Sequence, residues 1–283
     1  MSEWIEPFFR SETEFLRQAW LLGILGSLAF GVTGSYVIVR RTGYLAGAIA
    51  HSVLAGIGAA LYFRETLGWP WLDPVWGALV AAVGSAVLLG LVSIYAEERE
   101  DTIISALWAG GMALGLLFLA NTPAFVDPMS YLFGNILMVS SRDLQLVLVL
   151  DFVILGTVVV AYRRFLALSF DEEFALLRGI HVRAYTFLLY ILIALTIVLL
   201  VSVVGIVLVI ALLTLPPAIA GRFANHLWQM MLGAILLCAL FVTGGLGLSY
   251  HFDLPSGPVI VLLVTLAYLA VLAAKRVAVG SRD

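Results

Sequence analysis

The chain has 283 residues, of which 63% are hydrophobic and 12% charged, and its formal net charge is −3. An average soluble domain carries roughly twice that share of charge, and the basic footprint of a nucleic-acid binder is absent. Apolar runs recur along the whole length, each near the ~20 residues that cross a bilayer, without the short alternating segments of a β-barrel. These features specify an all-α polytopic membrane protein, expected to be a single transmembrane unit over residues 1–283 with no soluble domain appended.

Residues 1–17 form an amphipathic start that lacks the basic stretch and small-residue cleavage site of a signal peptide. Apolar segments follow at 18–39, 44–63, 74–96, 103–120, 143–162, 185–221, 228–249 and 256–274. As one helix, the sixth would span about 55 Å, against a hydrocarbon core of ~30 Å. It contains Gly205 and has Pro216-Pro217 near its end. The basic clusters Arg40-Arg41, Arg163-Arg164 with Arg178 and Arg183, and Lys275-Arg276 all belong on the cytoplasmic side. Four segments separate Arg41 from Arg163, an even number, as that placement requires. An even number between Arg183 and Lys275 requires two crossings in the long run, near 185–203 and 205–221. The expectation is about nine transmembrane segments, N-terminus outside and C-terminus inside; eight with a bent long helix is the alternative. The outer turns are then WPWLDP (69–74), TPAFVDP (122–128) and HFDLPSGP (251–258), with Tyr131–Val139 a candidate re-entrant helix. Gly110-Gly111-Gly115 and Gly244-Gly245-Gly247 read as helix-packing faces.

Within the second segment, GYLAGAIAHSVLAGIGAALYF, one ridge at four-residue spacing carries Gly43, Gly47, His51, Ala55 and Ala59. Its only large member is the histidine. A small-residue ridge faces protein or a cavity rather than lipid, so His51 is either a hydrogen-bonded packing residue or a metal ligand on a passage. One imidazole makes no site alone; a second copy of the chain about a two-fold axis would supply another. Asp151, in LVLVLDFVILG, is the other mid-membrane ionisable group, a cation ligand, a partner for His51 or a water-contacting residue. His251 and Asp253 sit in the outer turn, where they are candidates for cation capture or members of a solvated turn. His181 and His226 fall in cytoplasmic loops and carry no assigned chemistry.

The loop 169–183 has a helical pattern of its own. Asp171, Glu172 and Glu173 suit a helix N-terminus, Phe174, Leu177 and Ile180 repeat at three-residue spacing with Ala175 between them, and Gly179 is a natural stop. Such a short amphipathic helix fits a protein groove better than anionic lipid, given its acidic start. The single cysteine, Cys238, allows no internal disulfide. Lys275 is the only lysine, so the chain has no Walker-type phosphate loop, and an ATP-driven process needs another subunit.

GYLAGAIAHSVLAGIG, EDTIISALWAGGMALGLLFL, YLFGNIL, DEEFALLRGI, GIVLVIALLTLPPAIAGR and LSYHFDLPSG, in this order, resemble the integral membrane permeases of zinc/manganese-type ABC importers, from about residue 18 to 275. The resemblance implies a homodimer in a bacterial cytoplasmic membrane, with two cytoplasmic ABC ATPase subunits and an extracytoplasmic metal-binding protein. It implies a layout distantly similar to the cobalamin and siderophore importers, with Asp171–Ile180 as the helix that inserts into each ATPase and His51 as a ligand on the path. ATP would sit only on the partner; no cofactor is bound permanently, and zinc or manganese would be cargo. Many members of the resembled family carry Asp where this chain has Gly47, and loss of that oxygen donor tilts the preference toward zinc. The other possibilities are a permease for a metal chelate or small solute, given room by the emptied ridge, and an ion-coupled secondary transporter using Asp151. An intramembrane metalloprotease is disfavoured because H-E-x-x-H is absent.

Overall fold

The computed structural model describes residues 14–95, 100–123, 128–134 and 139–280. Among them it forms helices α1 (Glu14–Val39), α2 (Gly43–Leu67), α3 (Pro74–Tyr95), α4 (Glu100–Asn121), α5 (Pro128–Phe133) and α6 (Ser141–Phe170), then α7 (Glu172–Leu177), α8 (Val182–Val204), α9 (Ile206–Ala220), α10 (Leu227–Phe252) and α11 (Ser256–Gly280). Seven of these are long and apolar enough to cross a membrane, and α8 and α9 add two shorter apolar helices among the described residues.

α1 and α2 are apolar or small on nearly every face and form the buried centre. α1 packs against α6, α8, α9 and α10, while α2 packs against α3 and α4. The outer faces of the remaining helices carry Val80, Leu117, Phe152, Val160, Leu236 and Leu262, all exposed. Apolar surface on this scale suits a lipid solvent.

The long apolar run does turn back on itself. Gly205, at φ 85°, lies between α8 and α9. Tyr185, at the inner start of α8, packs on Phe165, whereas Val204 at its end meets Gly134 and Gly257 near the outer turns. α9 then runs inward, its Leu213 and Pro217 against Gly34 near the inner end of α1. Its 15 residues rise only about 22 Å, and α5 packs beside its outer end and that of α8. The backbones of Gly134 and Gly205 touch, so a side chain on either would run into the other chain segment. Irregular backbone at this depth is tolerated because protein surrounds it.

Two boundaries differ from expectation. The helix expected at Tyr131–Val139 begins earlier, at Pro128, and stops at Gly134 (φ 68°); residues 135–138 lie outside the described residues. The fifth apolar segment does not end near residue 162. A Ser140–Asp143 capping box starts α6, and the helix continues to Phe170, so it carries Arg163 and Arg164. Of the amphipathic start, 1–13 lie outside the described residues and 14–17 are the first turn of α1.

Candidate functional site

His51 lies nine residues into α2, about 12 Å from its cytoplasmic start. It is buried. Its Nδ1 is 2.9 Å from the Gly47 carbonyl oxygen. A carbonyl only accepts, so Nδ1–H donates, and the neutral ring keeps its lone pair on Nε2. That tautomer leaves Nε2 able to take a metal, with the ring oriented by a backbone partner as ligating histidines usually are.

The middle of the ridge, Gly47 and His51, faces α4, while Gly43 meets Thr214 of α9. The Trp108 indole stacks on the imidazole, with centroids 4.3 Å apart and planes at 23°. A Cβ built on Gly47 would lie 2.5 Å from Trp108 Cζ3. Further along, Gly111 abuts Ser52 and Gly115 abuts Leu54, while Ala55 lines a groove shared with α3 and α4. The ridge is therefore not emptied at Gly47: Trp108 occupies the space. Toward the cytoplasm, Trp108 borders an open cavity of about 330 Å³ with Tyr44, Asp101, Ile104, Ser105 and Ala109.

The other sequence candidates do not gather around His51. Asp151 is buried on the inner face of α6, which packs chiefly on α1 and α8. Neither of its carboxyl oxygens has a hydrogen-bond partner among the described residues. His251 lies in the last turn of α10, and Asp253 caps the helix at φ 52°, its N–H bonded to the Ser249 carbonyl. Both are exposed at the outer turn, across most of the membrane from His51. Among the described residues, no three His, Cys, Asp or Glu side chains form a metal-holding group.

The cytoplasmic loop folds as a capped helix. Asp171 accepts the Phe174 N–H at 2.8 Å. At the other end Gly179 adopts φ 74°, with Ile180 N–H bonded to Ala175 O and Gly179 N–H to Leu176 O, the two bonds of a glycine-terminated helix end. Ala175 is turned inward and fully buried; Phe174, Leu176 and Leu177 point outward, Leu177 being 88% exposed. α7 also has an anchor: Arg40, just past α1, donates to the Leu168 carbonyl at 2.8 Å and to Glu172 Oε1 at 2.7 Å.

Sequence reasoning missed Trp108, Arg40 and the exposed Leu176. Trp108 is the one aromatic within SALWAGGMALG, the mirror on α4 of His51 on its own small-residue ridge, and that pattern was the available signal. In the sequence Arg40 marks only the topology.

Among the described residues, seven apolar helices around the two most buried ones, with a capped helix exposed between two of them, have the architecture of a polytopic membrane protein. The chain matches the ABC 3 transport family over residues 12–275, and it belongs to that family. It is 42% identical over 260 residues to a "Probable metal transport system membrane protein" of Chlamydia muridarum, covering 90% of this chain and 88% of the relative. It is 30% identical to the "Manganese transport system membrane protein MntC" of Listeria innocua, covering 90% and 88%. Among solved structures, "PsaBC from Streptococcus pneumoniae in complex with Fab" superposes with a TM-score of 0.83 at 28% identity, covering 95% of this chain and 94% of that one. A metal-chelate type ABC transporter in an inward-facing conformation shares the fold, with a TM-score of 0.68 at 16% identity. The chain is thus a multi-pass integral membrane protein and the permease subunit of an ABC transport system, not itself an enzyme.

Proposed function

We propose that the chain is the permease of an importer for a divalent transition metal. Two copies pair about a two-fold axis, each offers α7 to a cytoplasmic ATPase subunit, and an extracytoplasmic binding protein delivers the ion. The observation that carries this is His51: an imidazole inside the membrane, fixed by the Gly47 carbonyl so that Nε2 holds the lone pair. One ligand per chain is incomplete, and a two-fold axis doubles it. Weak coordination suits a passage, because the ion must leave again. The exposed apolar face of α7 has the character of a helix that enters a partner's groove, and the metal transport relatives support the same reading.

Zinc is favoured as cargo. An imidazole with no carboxylate on its own ridge suits a borderline cation better than a hard one. Manganese is the second reading, supported by the manganese relatives at 30% identity.

The test is metal accumulation in vesicles carrying the permease, its ATPase and its binding protein, with wild type compared to His51→Ala. The expected result is loss of ATP-dependent zinc uptake with the ATPase still bound. Undiminished uptake would make His51 a packing residue. Manganese uptake without zinc uptake would reverse the cargo assignment.

A further inference from the structure

On α2, position 47 is one turn from His51 on the same ridge. It is where a second donor from the same helix would join the imidazole. In this chain that position is closed from outside the helix. The Trp108 ring lies over it, with Cζ3 at 2.5 Å, Cη2 at 2.9 Å and Cε3 at 3.4 Å from a Cβ placed on Gly47. The same ring stacks on His51. One indole thus covers two successive ridge positions, and the glycine is the condition for its fit. Trp108 does not ligate, since an indole N–H only donates.

We propose that Trp108, interlocked with Gly47, is a specificity-determining residue of the passage. It keeps oxygen donors off the turn below His51, so the chain presents a nitrogen-only donor there. An aromatic wall beside the imidazole also excludes ligands and water from that side. The cation that passes is then one that accepts imidazole readily, and a hard, oxygen-seeking cation is discriminated against. This inference rests on the reading of His51 as a cation ligand.

The experiment compares uptake of zinc and of manganese ions, supplied separately and in competition, by the reconstituted full transporter. The permeases are wild type, His51→Ala, Trp108→Ala, Gly47→Asp and Gly47→Asp/Trp108→Ala. The readout is the ratio of the two metals, which a merely structural role for Trp108 leaves unmoved. Gly47→Asp alone is expected to lose uptake of both ions, because the new side chain meets the indole. The double variant is expected to transport again, with the ratio shifted toward manganese on the order of tenfold, the lower end of what changes around a metal site produce. Trp108→Ala is expected to keep zinc transport and to relax the ratio in the same direction by less.

An unchanged ratio in the double variant, with uptake still abolished by His51→Ala, overturns the specificity role and leaves the passage reading intact. Uptake indifferent to His51→Ala overturns both. Should the double variant fail to reach the membrane, a smaller probe decides. Gly47→Ala is expected to reduce uptake, and Gly47→Ala/Trp108→Ala to restore it; full uptake by Gly47→Ala alone overturns the interlock.

Discussion

Asp151 and His51 are both ionisable residues inside the membrane, yet their surroundings assign them different fates. His51 has a backbone acceptor and an aromatic neighbour. Asp151 has 4% exposure and no hydrogen-bond partner for either oxygen. A carboxyl there costs at least about 2.5 kcal/mol in a membrane helix, and the one polar group set against it is the Ala29 backbone of α1. Replacing Asp151 by leucine removes that cost. Asp151→Leu is therefore expected to raise the thermal unfolding midpoint of the purified protein and to leave uptake unchanged. Loss of uptake with the fold intact would place Asp151 on the transport cycle after all. From the sequence, both residues looked equally out of place; the ridge of small residues around His51 was the legible difference. The partner ring from α4 was not legible, because it depends on how two helices far apart in the chain pair in register.

Among the elements, α8 and α9 were readable because two independent constraints agreed. The run was too long for one crossing, and the basic clusters demanded an even count. α6 was misjudged at its inner end, since the arginines that mark the membrane boundary do not break a helix. α7 was readable from its acidic start and its glycine stop, but its anchor was not. Arg40 ties the loop after α1 to Glu172 at the head of α7 and to the last turns of α6. The arginine side chain is 11% exposed and the glutamate 54%, so the pair contributes no more than about 1 kcal/mol to stability. Its consequence is geometric: it links the head of α7 to the elbow from which α2 begins. Arg40→Glu is expected to leave the ATPase bound and hydrolysing ATP while uptake falls about fivefold or more, the scale of coupling between linked sites. Arg40→Glu/Glu172→Arg should recover much of the loss. Equal uptake in wild type and Arg40→Glu would show that α7 signals by another route.

At the scale of the whole molecule, the arrangement requires that the turn before α3 and the turn before α10 lie on opposite sides of the membrane. Eight crossings with a bent long helix would place those two turns on the same side, because the count between them changes by one. The molecule supplies a clean background for deciding this. Its one cysteine, Cys238, is fully buried and directed at the Leu212 carbonyl, so it should resist a polar thiol reagent. Trp71 is 68% exposed and Phe223 74% exposed, and cysteine at either position is open to such a reagent. In sealed right-side-out vesicles, a membrane-impermeant maleimide is expected to label Trp71→Cys and to spare Phe223→Cys. Inverted vesicles should give the reverse pattern. Labelling of both variants from one side would remove the turn at Gly205, and α9 would no longer run inward. The inner placement of the α9–α10 turn follows from Gly34 meeting Leu213 and Pro217, so the labelling pattern and that contact stand or fall together.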